Sequence, residues 1–253
     1  MNTQAASQSV LILGATGRTG SAIIRQLSSS SNDSSAFRPA IHAFCRNKSK
    51  LAAEDAAKCT HIWEGDARKA QDLERVLVQS GADTVIVAVG NGDSVAKSDL
   101  RAANAQALAS VLESNPSLDH VRVLVVSSQG AGASRIKVGM GIGKLIEYHL
   151  KYVLADHTEQ EKAFFKTPND PTLLHKRTTI VRPTALTEDE PTEKSLIEFG
   201  DHVKCPTIKT DRADLAAWIT REISTWKHVG TTTNVTGMKA PANGRRGHRA
   251  AKQ

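Results

Sequence analysis

Hydrophobic positions along the chain fall into short dense runs separated by amphipathic stretches. Ser9–Leu13 (SVLIL), Ile41–Cys45 (IHAFC), His61–Glu64 (HIWE), Thr84–Val89 (TVIVAV) and Val121–Ser127 (VRVLVVS) are brief and rich in β-branched residues. Such runs read as strands, and three of them are almost continuously apolar, as expected where both faces of a sheet are covered. Between them, Arg18–Ser28, Lys48–Ala56, Ala70–Gln79 and Leu100–Glu113 carry helical spacing. The alternation predicts right-handed βαβ units, and so an α/β fold with a Rossmann-type, doubly wound parallel sheet.

Past Ser127 the rhythm changes. Gln129–Gly143 holds five glycines and no acid, which reads as a mobile lid or substrate loop. A helix is expected from Lys144 to about Lys166, then a strand at Thr178–Arg182, an acidic loop at Thr187–Lys194, a short strand near Val203 and a helix at Arg212–Trp226. No internal repeat or linker interrupts this order. Residues 1–238 are therefore expected to form a single domain, with residues 129–210 supplying a small C-terminal substrate-binding extension. Ser28–Ser35 (SSSSNDSS) reads as a flexible surface insertion.

Composition narrows the partners. A chain of 253 residues is long enough to bury a real core. Five units of the net charge of +7 lie in residues 239–253, which hold Lys239, Arg245, Arg246, Arg249 and Lys252 and no acid. That basic stretch reads as a solvated, disordered tail, and the body is close to neutral. Aromatic residues make up only 4%, too few for a base-stacking platform, so no nucleic-acid partner is expected. Cys45, Cys59 and Cys205 are odd in number and scattered, as in reduced intracellular proteins. Met1–Ser9 has no basic segment followed by an apolar run, and no stretch is long enough to span a bilayer. A cytoplasmic protein without a membrane partner is expected, its oligomeric state open between monomer and homodimer.

The candidate chemistry begins at Gly14-Ala15-Thr16-Gly17-Arg18-Thr19-Gly20, which follows the first strand and opens the first helix. Gly14 permits a tight turn, Gly17 a close backbone approach to a pyrophosphate, and Gly20 close packing of helix on sheet. The N–H groups around Thr16, Arg18 and Thr19 and the positive helix end would face the phosphates. The run after the second strand, Arg46-Asn47-Lys48-Ser49-Lys50, lacks the acid that binds a free ribose hydroxyl. Arg46 can fork onto a 2′-phosphate, with Lys50 or Lys48 adding charge, so NADP(H) is the expected cofactor. Asp66 and Ala67 suit an adenine pocket, with the Asp66 carboxylate accepting from the exocyclic amine. Ala88, Val89 and Gly90 place small residues on the ribose and nicotinamide side, and Arg182-Pro183-Thr184-Ala185 is expected to line the nicotinamide end, with Pro183 fixing the backbone. Nine histidines are scattered without metal-ligand spacing, so no metal is expected. There is neither a P-loop nor a G-x-S-x-G elbow.

The glycine turn, Arg46–Leu51, Gly65-Asp66, Val125-Val126-Ser127-Ser128, Val181-Arg182-Pro183-Thr184 and Asp211–Ala216 occur in an order that resembles the atypical short-chain dehydrogenases/reductases of the NmrA-like, NAD(P)-binding type. The resemblance spans about residues 9–237 and is similar to biliverdin IXβ/flavin reductases and to the fungal averufin oxidase family, which tailors aromatic polyketides. That family usually implies a Tyr-x-x-x-Lys pair after the fifth strand. Here Tyr148 is followed four residues later by Tyr152, and Tyr152 by Asp156, while His157 and Glu161 take the places of tyrosine and lysine. The resemblance then implies an NADPH-dependent oxidoreductase passing hydride to a small aromatic or conjugated acceptor. Ser127 or Ser128 would orient that acceptor, His157 would relay a proton, and Glu161, one helical turn on, would orient His157. Two other classes stay open: an NmrA-like dinucleotide-sensing regulator that binds a protein partner without turnover, and a cofactor-retaining epimerase, isomerase or dehydratase.

Overall fold

A computed structural model describes residues 9–29, 38–165, 174–188 and 195–238, the side chain of Met140 excepted. Most of the Ser28–Ser35 insertion, the acidic loop beyond Glu188 and the basic tail lie outside the described residues. Among the described residues, ten strands and seven α-helices run in the order β1 (Ser9–Leu13), α1 (Arg18–Ser29), β2 (Ala40–Cys45), α2 (Ala53–Ala56), β3 (His61–Glu64), α3 (Ala70–Ser80), β4 (Thr84–Val87), α4 (Leu100–Ser114), β5 (Arg122–Val126), α5 (Ile142–His149), α6 (Lys151–Phe164), β6 (Thr178–Pro183), β7 (Ala185–Thr187), β8 (Ile197–Phe199), β9 (Lys209–Asp211), α7 (Arg212–Thr225) and β10 (Thr232–Thr236).

The main sheet has the order β3-β2-β1-β4-β5-β6-β10-β8. All its pairings are parallel except β10 with β8, which is antiparallel and closes one edge. β7 and β9 form a separate two-stranded parallel ribbon. This is the expected Rossmann-type α/β fold. The apolar run of β1 shows why both faces must be covered. Val10 and Ile12 join Ile23, Ile24, Leu215 and Ile219 from α1 and α7 on one side. Leu11 and Leu13 join Leu73, Val76, Leu108 and Leu112 from α3 and α4 on the other. Period-two alternation in one strand thus feeds two cores. The chain reverses its direction of winding beside β1, between β2 and β4, so a crevice opens at the carboxyl ends of β1 and β4.

Three expected elements differ. The Lys48–Ala56 helix is a 3₁₀ turn at Lys48–Lys50 and the single turn α2, because the Asn47 carboxamide accepts from Ser49 N at 2.9 Å and Leu51 is extended at φ −78°, ψ 128°. The long helix after the glycine loop is divided at Leu150 (ψ 9°). α6 turns inward to bury His157, Gln160, Glu161 and Phe164 against α4, whereas α5 leaves Leu145 and Tyr148 exposed. Val203 lies in an exposed bend rather than a strand. The strands that do form late, β7 to β10, are short or threonine-rich and carry little apolar signal. No helix among the described residues is long and apolar enough to cross a membrane.

Candidate functional site

The glycine turn sits at the mouth of the crevice. Gly14 has φ +86°, and a Cβ on it would lie 2.5 Å from the Ala88 carbonyl oxygen. A Cβ on Gly20 would lie 2.4 Å from the Gly14 carbonyl oxygen. Neither position tolerates a side chain, whatever is bound. Gly17 is different: its Cβ would meet only the Gly14 oxygen, at 3.2 Å. What Gly17 leaves open is the approach from outside. Gly17 N donates to Gly14 O at 3.0 Å and Ser21 N to Gly17 O at 2.9 Å. Between them the N–H groups of Arg18, Thr19 and Gly20 form the first turn of α1, where intrahelical acceptors are lacking. An anion at this end meets donors and the helix dipole together.

Two adjoining cavities flank the turn and share Gly17, Ala88, Val89 and Gly90. The first is lined by Gly14, Thr16, Arg46, Asp66, Ala67 and Leu100 among others. Arg46 is exposed and makes no hydrogen bond or ion pair among the described residues, so its guanidinium is available to a phosphate. Lys50 does not line this cavity. Asp66 accepts from Arg68 N and Nε at 3.0 Å each and from Arg68 Nη2 at 2.7 Å. The Arg68 hydrogen bonds hold its pKa down at about 2. The carboxylate is therefore charged and retains lone-pair capacity for a donor such as an adenine amine.

The second cavity is lined by Arg18, Thr19, Arg101, Ser127, His157 and Arg212 among others. Here the structure corrects several sequence expectations. Ser127 is buried and donates its hydroxyl to Glu161 Oε1 at 2.6 Å, so its proton is not available to a substrate carbonyl. Ser128 donates to Gln129 O at 3.1 Å and lines neither cavity. Glu161 does not orient His157. It grips Arg182, accepting from Nε at 2.8 Å and from Nη2 at 2.6 Å, because a guanidinium this deeply buried on β6 demands a carboxylate. Arg182 also reaches Asp201 at 2.8 Å. Burial alone would weaken the Arg182 charge, but its bonds to Glu161 and Asp201 prevail and its pKa is raised. Pro183 ends β6 and lines neither cavity. The partner of His157 is Gln160, with Nδ1 to Oε1 at 3.0 Å. With Gln160 presenting its carbonyl, Nδ1 carries the proton and Nε2 keeps an accepting lone pair.

Burial, with the nearby Arg101 charge second, pushes the His157 pKa from 6.5 to about 3. The consequence for stability has a definite sign. The unfolded chain binds the proton below 6.5 and the native ring does not until about 3, so the contribution is complete above 6.5 and is lost as pH falls through that window. The slope reaches about 1.4 kcal/mol per pH unit. His157→Gln should therefore lose about 3 kcal/mol less stability than wild type between pH 7 and pH 4, as read by denaturant unfolding. Parallel acid limbs would contradict the assignment.

Sequence reasoning missed the parts played by Gln160, Arg101, Asp156 and Arg212, while Arg182, expected at the nicotinamide end, lines neither cavity. Asp156, on α6, accepts from Ala102 N at 2.9 Å and from Arg101 N at 3.2 Å, capping α4 from a neighbouring helix, and also takes Arg101 Nη1 at 3.2 Å. One signal was present: Arg101 stands within an alanine-rich helix, where a buried charge needs a purpose. Among the described residues, no group of three His, Cys, Asp or Glu side chains could hold a metal ion.

Comparison with known proteins places this architecture. No curated protein matches the chain. Among solved structures, a Bacillus halodurans protein described as an NAD-dependent epimerase/dehydratase superposes with a TM-score of 0.66 at 20% identity, over 92% of this chain and 96% of the other. A Veillonella parvula short-chain dehydrogenase/reductase solved with NADP gives 0.65 at 17% identity, over 91% and 95%. The anaerobillin reductase of Escherichia coli O157:H7 gives 0.64 at 16% identity, over 92% and 100%. At these identities the likeness speaks for the fold. A family model described as NAD(P)H-binding matches residues 14–225, from the first glycine of the turn to the end of α7, and the chain belongs to that NAD(P)H-binding family.

Proposed function

We propose that the protein is an NADPH-dependent oxidoreductase that passes hydride to a conjugated acceptor, of the flavin or quinone kind, bound in the second cavity. The observation that carries this reading is the state of the acid-base groups there. The Tyr–Lys pair is missing, the Ser127 proton belongs to Glu161, and His157 has a pKa of about 3. At pH 7 only about one imidazole in ten thousand would be protonated, so the site holds no competent acid for an ordinary ketone. A conjugated acceptor spreads the arriving charge and takes its proton from solvent afterwards. Such a reaction needs positioning above all.

In this reading the N–H groups of Arg18, Thr19 and Gly20 hold the pyrophosphate, Asp66 meets the adenine, and Arg46 forks onto the 2′-phosphate. The cofactor supplies the hydride. Nε2 of His157 offers a neutral acceptor that orients the substrate and excludes water.

NADPH oxidation against a panel of flavins and quinones tests the proposal. His157→Ala should lower kcat less than about tenfold, whereas loss of a general acid typically costs a hundredfold or more. A loss of that size, with an acidic limb in the pH profile, would overturn it. Tight NADP(H) binding without turnover on any acceptor would favour a dinucleotide-sensing regulator. Arg46→Ala should cut the NADPH-over-NADH affinity ratio by about tenfold or more, because hydrogen bonds to a charged group are worth about 1.5–3 kcal/mol. An unchanged ratio would remove the NADP assignment.

A further inference from the structure

The charged side chains that line the second cavity are Arg18, Arg101 and Arg212, and no carboxylate lines it with them. Arg18 is engaged at the rim by Asp93 and by Glu188. The other two keep donors in reserve. Arg101 is 7% exposed. Its Nη1 donates to Asn91 Oδ1 at 3.1 Å and to Asp156 Oδ2 at 3.2 Å, but its buried Nε has no partner. Its Nη2 lies against Gly90, where a Cβ would approach to 3.1 Å, and it has no partner among the described residues. Asp156 balances the Arg101 charge but occupies only one of its terminal nitrogens. Arg212, at the start of α7, repeats the pattern. Nη1 meets Glu188 at 3.3 Å, while the buried Nε is unpartnered. Burial, and then the repulsion of Arg18, weakens the Arg212 charge, so the chain holds these cations together at a cost.

In the pose proposed above, the dinucleotide draws on backbone N–H groups at the α1 N-terminus for its pyrophosphate and on Arg46, which lines the other cavity, for its 2′-phosphate, and so leaves the Arg101 and Arg212 side chains unassigned. What remains are two planar guanidinium groups that line the space beside His157, each with a buried N–H that has no partner among the described residues. A guanidinium edge matches a carboxylate, which takes two parallel N–H donors where a neutral carbonyl takes one.

We propose that the second cavity selects a carboxylate-bearing planar acceptor, its carboxylate held by Arg101 and Arg212. The word acceptor rests on the oxidoreductase reading; the anion site itself does not. It names a substrate class: conjugated acids rather than uncharged quinones.

The test is calorimetric titration of the full chain, saturated with NADP+, with benzoate and with benzamide, which match in shape and differ in charge. Benzoate should bind about tenfold or more tightly than benzamide. Arg212→Gln should remove most of that preference while leaving NADP+ affinity within about threefold, and Arg101→Lys should reduce it by loss of the fork. Arg212 is the safer variant, since Arg101 also braces Asp156. Equal binding of the two probes, or binding of neither, overturns the proposal. So does an arginine variant that loses NADP+ instead of benzoate, since the arginines would then serve the cofactor. A chain that prefers benzoate in this way yet oxidises no NADPH overturns the reductase reading and leaves the carboxylate site standing. A chain that oxidises NADPH and binds the two probes equally overturns the site alone.

Discussion

Gly14→Ala and Gly20→Ala are expected to prevent a stable native state, whereas Gly17→Ala is expected to fold and lose the dinucleotide. The three glycines share one motif, but only two are demanded by the protein itself. A methyl on Gly20 would stand 2.4 Å from the Gly14 carbonyl oxygen, and one on Gly14 would stand 2.5 Å from that of Ala88. Both obstacles are backbone atoms just past the ends of β1 and β4, so no rotamer change relieves them. Overpacking of a tight core costs about 1–3 kcal/mol, and contacts this short on backbone lie at or beyond the upper end. At Gly14 the φ of +86° adds strain for any L side chain. Since domains have only about 5–15 kcal/mol of net stability, either variant should show a large fall in Tm or no soluble yield. Gly17→Ala meets one oxygen at 3.2 Å, which a small adjustment accommodates. Its methyl would instead occupy the path of the pyrophosphate. Circular dichroism should report a native fold, and NADP+ titration a loss of about tenfold or more. If Gly17→Ala bound normally, the pyrophosphate would not lie over this turn.

The second large effect concerns Glu161. Glu161→Ala would strip Arg182, which is 4% exposed at its side chain, of the bidentate partner that sets its charge, leaving Asp201 at its other edge. It would also orphan the Ser127 hydroxyl. Removing one member of a buried pair costs about 3–5 kcal/mol, because the remaining charge is left uncompensated. Denaturant unfolding should show that loss. Replacing both partners by apolar residues, as in Glu161→Leu with Arg182→Met, should recover much of it, since no charge then stays buried. A loss below about 1 kcal/mol for Glu161→Ala would mean that the ion pair is solvated or dispensable. This outcome also bears on function. The carboxylate in the place of the family's lysine braces β6 against α6 rather than tuning an acid.

The centre of the sheet was legible because β1, β4 and β5 are nearly pure apolar runs. In β1 every residue from Val10 to Leu13 is fully buried, and such a run has few other readings. The turn was legible because the glycines carry their own steric logic. β10 (TTNVT) was not, since it is held by pairing with β6 rather than by its composition. The end of the crevice around His157 was hardest. His157 and Glu161 lie four apart on one helix, and spacing alone suggests that they meet. Their partners were instead decided by Gln160, on the same turn, and by Arg182, which arrives from a strand twenty-one residues later. Helical spacing describes who can touch within an element, and long-range burial decides who does. Arg101 and Arg212 were missed for the same reason, because their meeting at one cavity needs the tertiary fold.

The central claim is that a dinucleotide lies across both cavities, adenine beside Asp66 and nicotinamide beside His157. The most direct measurement is the crystal structure of the NADP+ complex. The pyrophosphate should sit on the N–H groups of Arg18, Thr19 and Gly20, the 2′-phosphate on Arg46, and the nicotinamide in the second cavity within reach of His157. A nicotinamide lying elsewhere, with His157 and the two arginines still facing an empty chamber, would contradict the account.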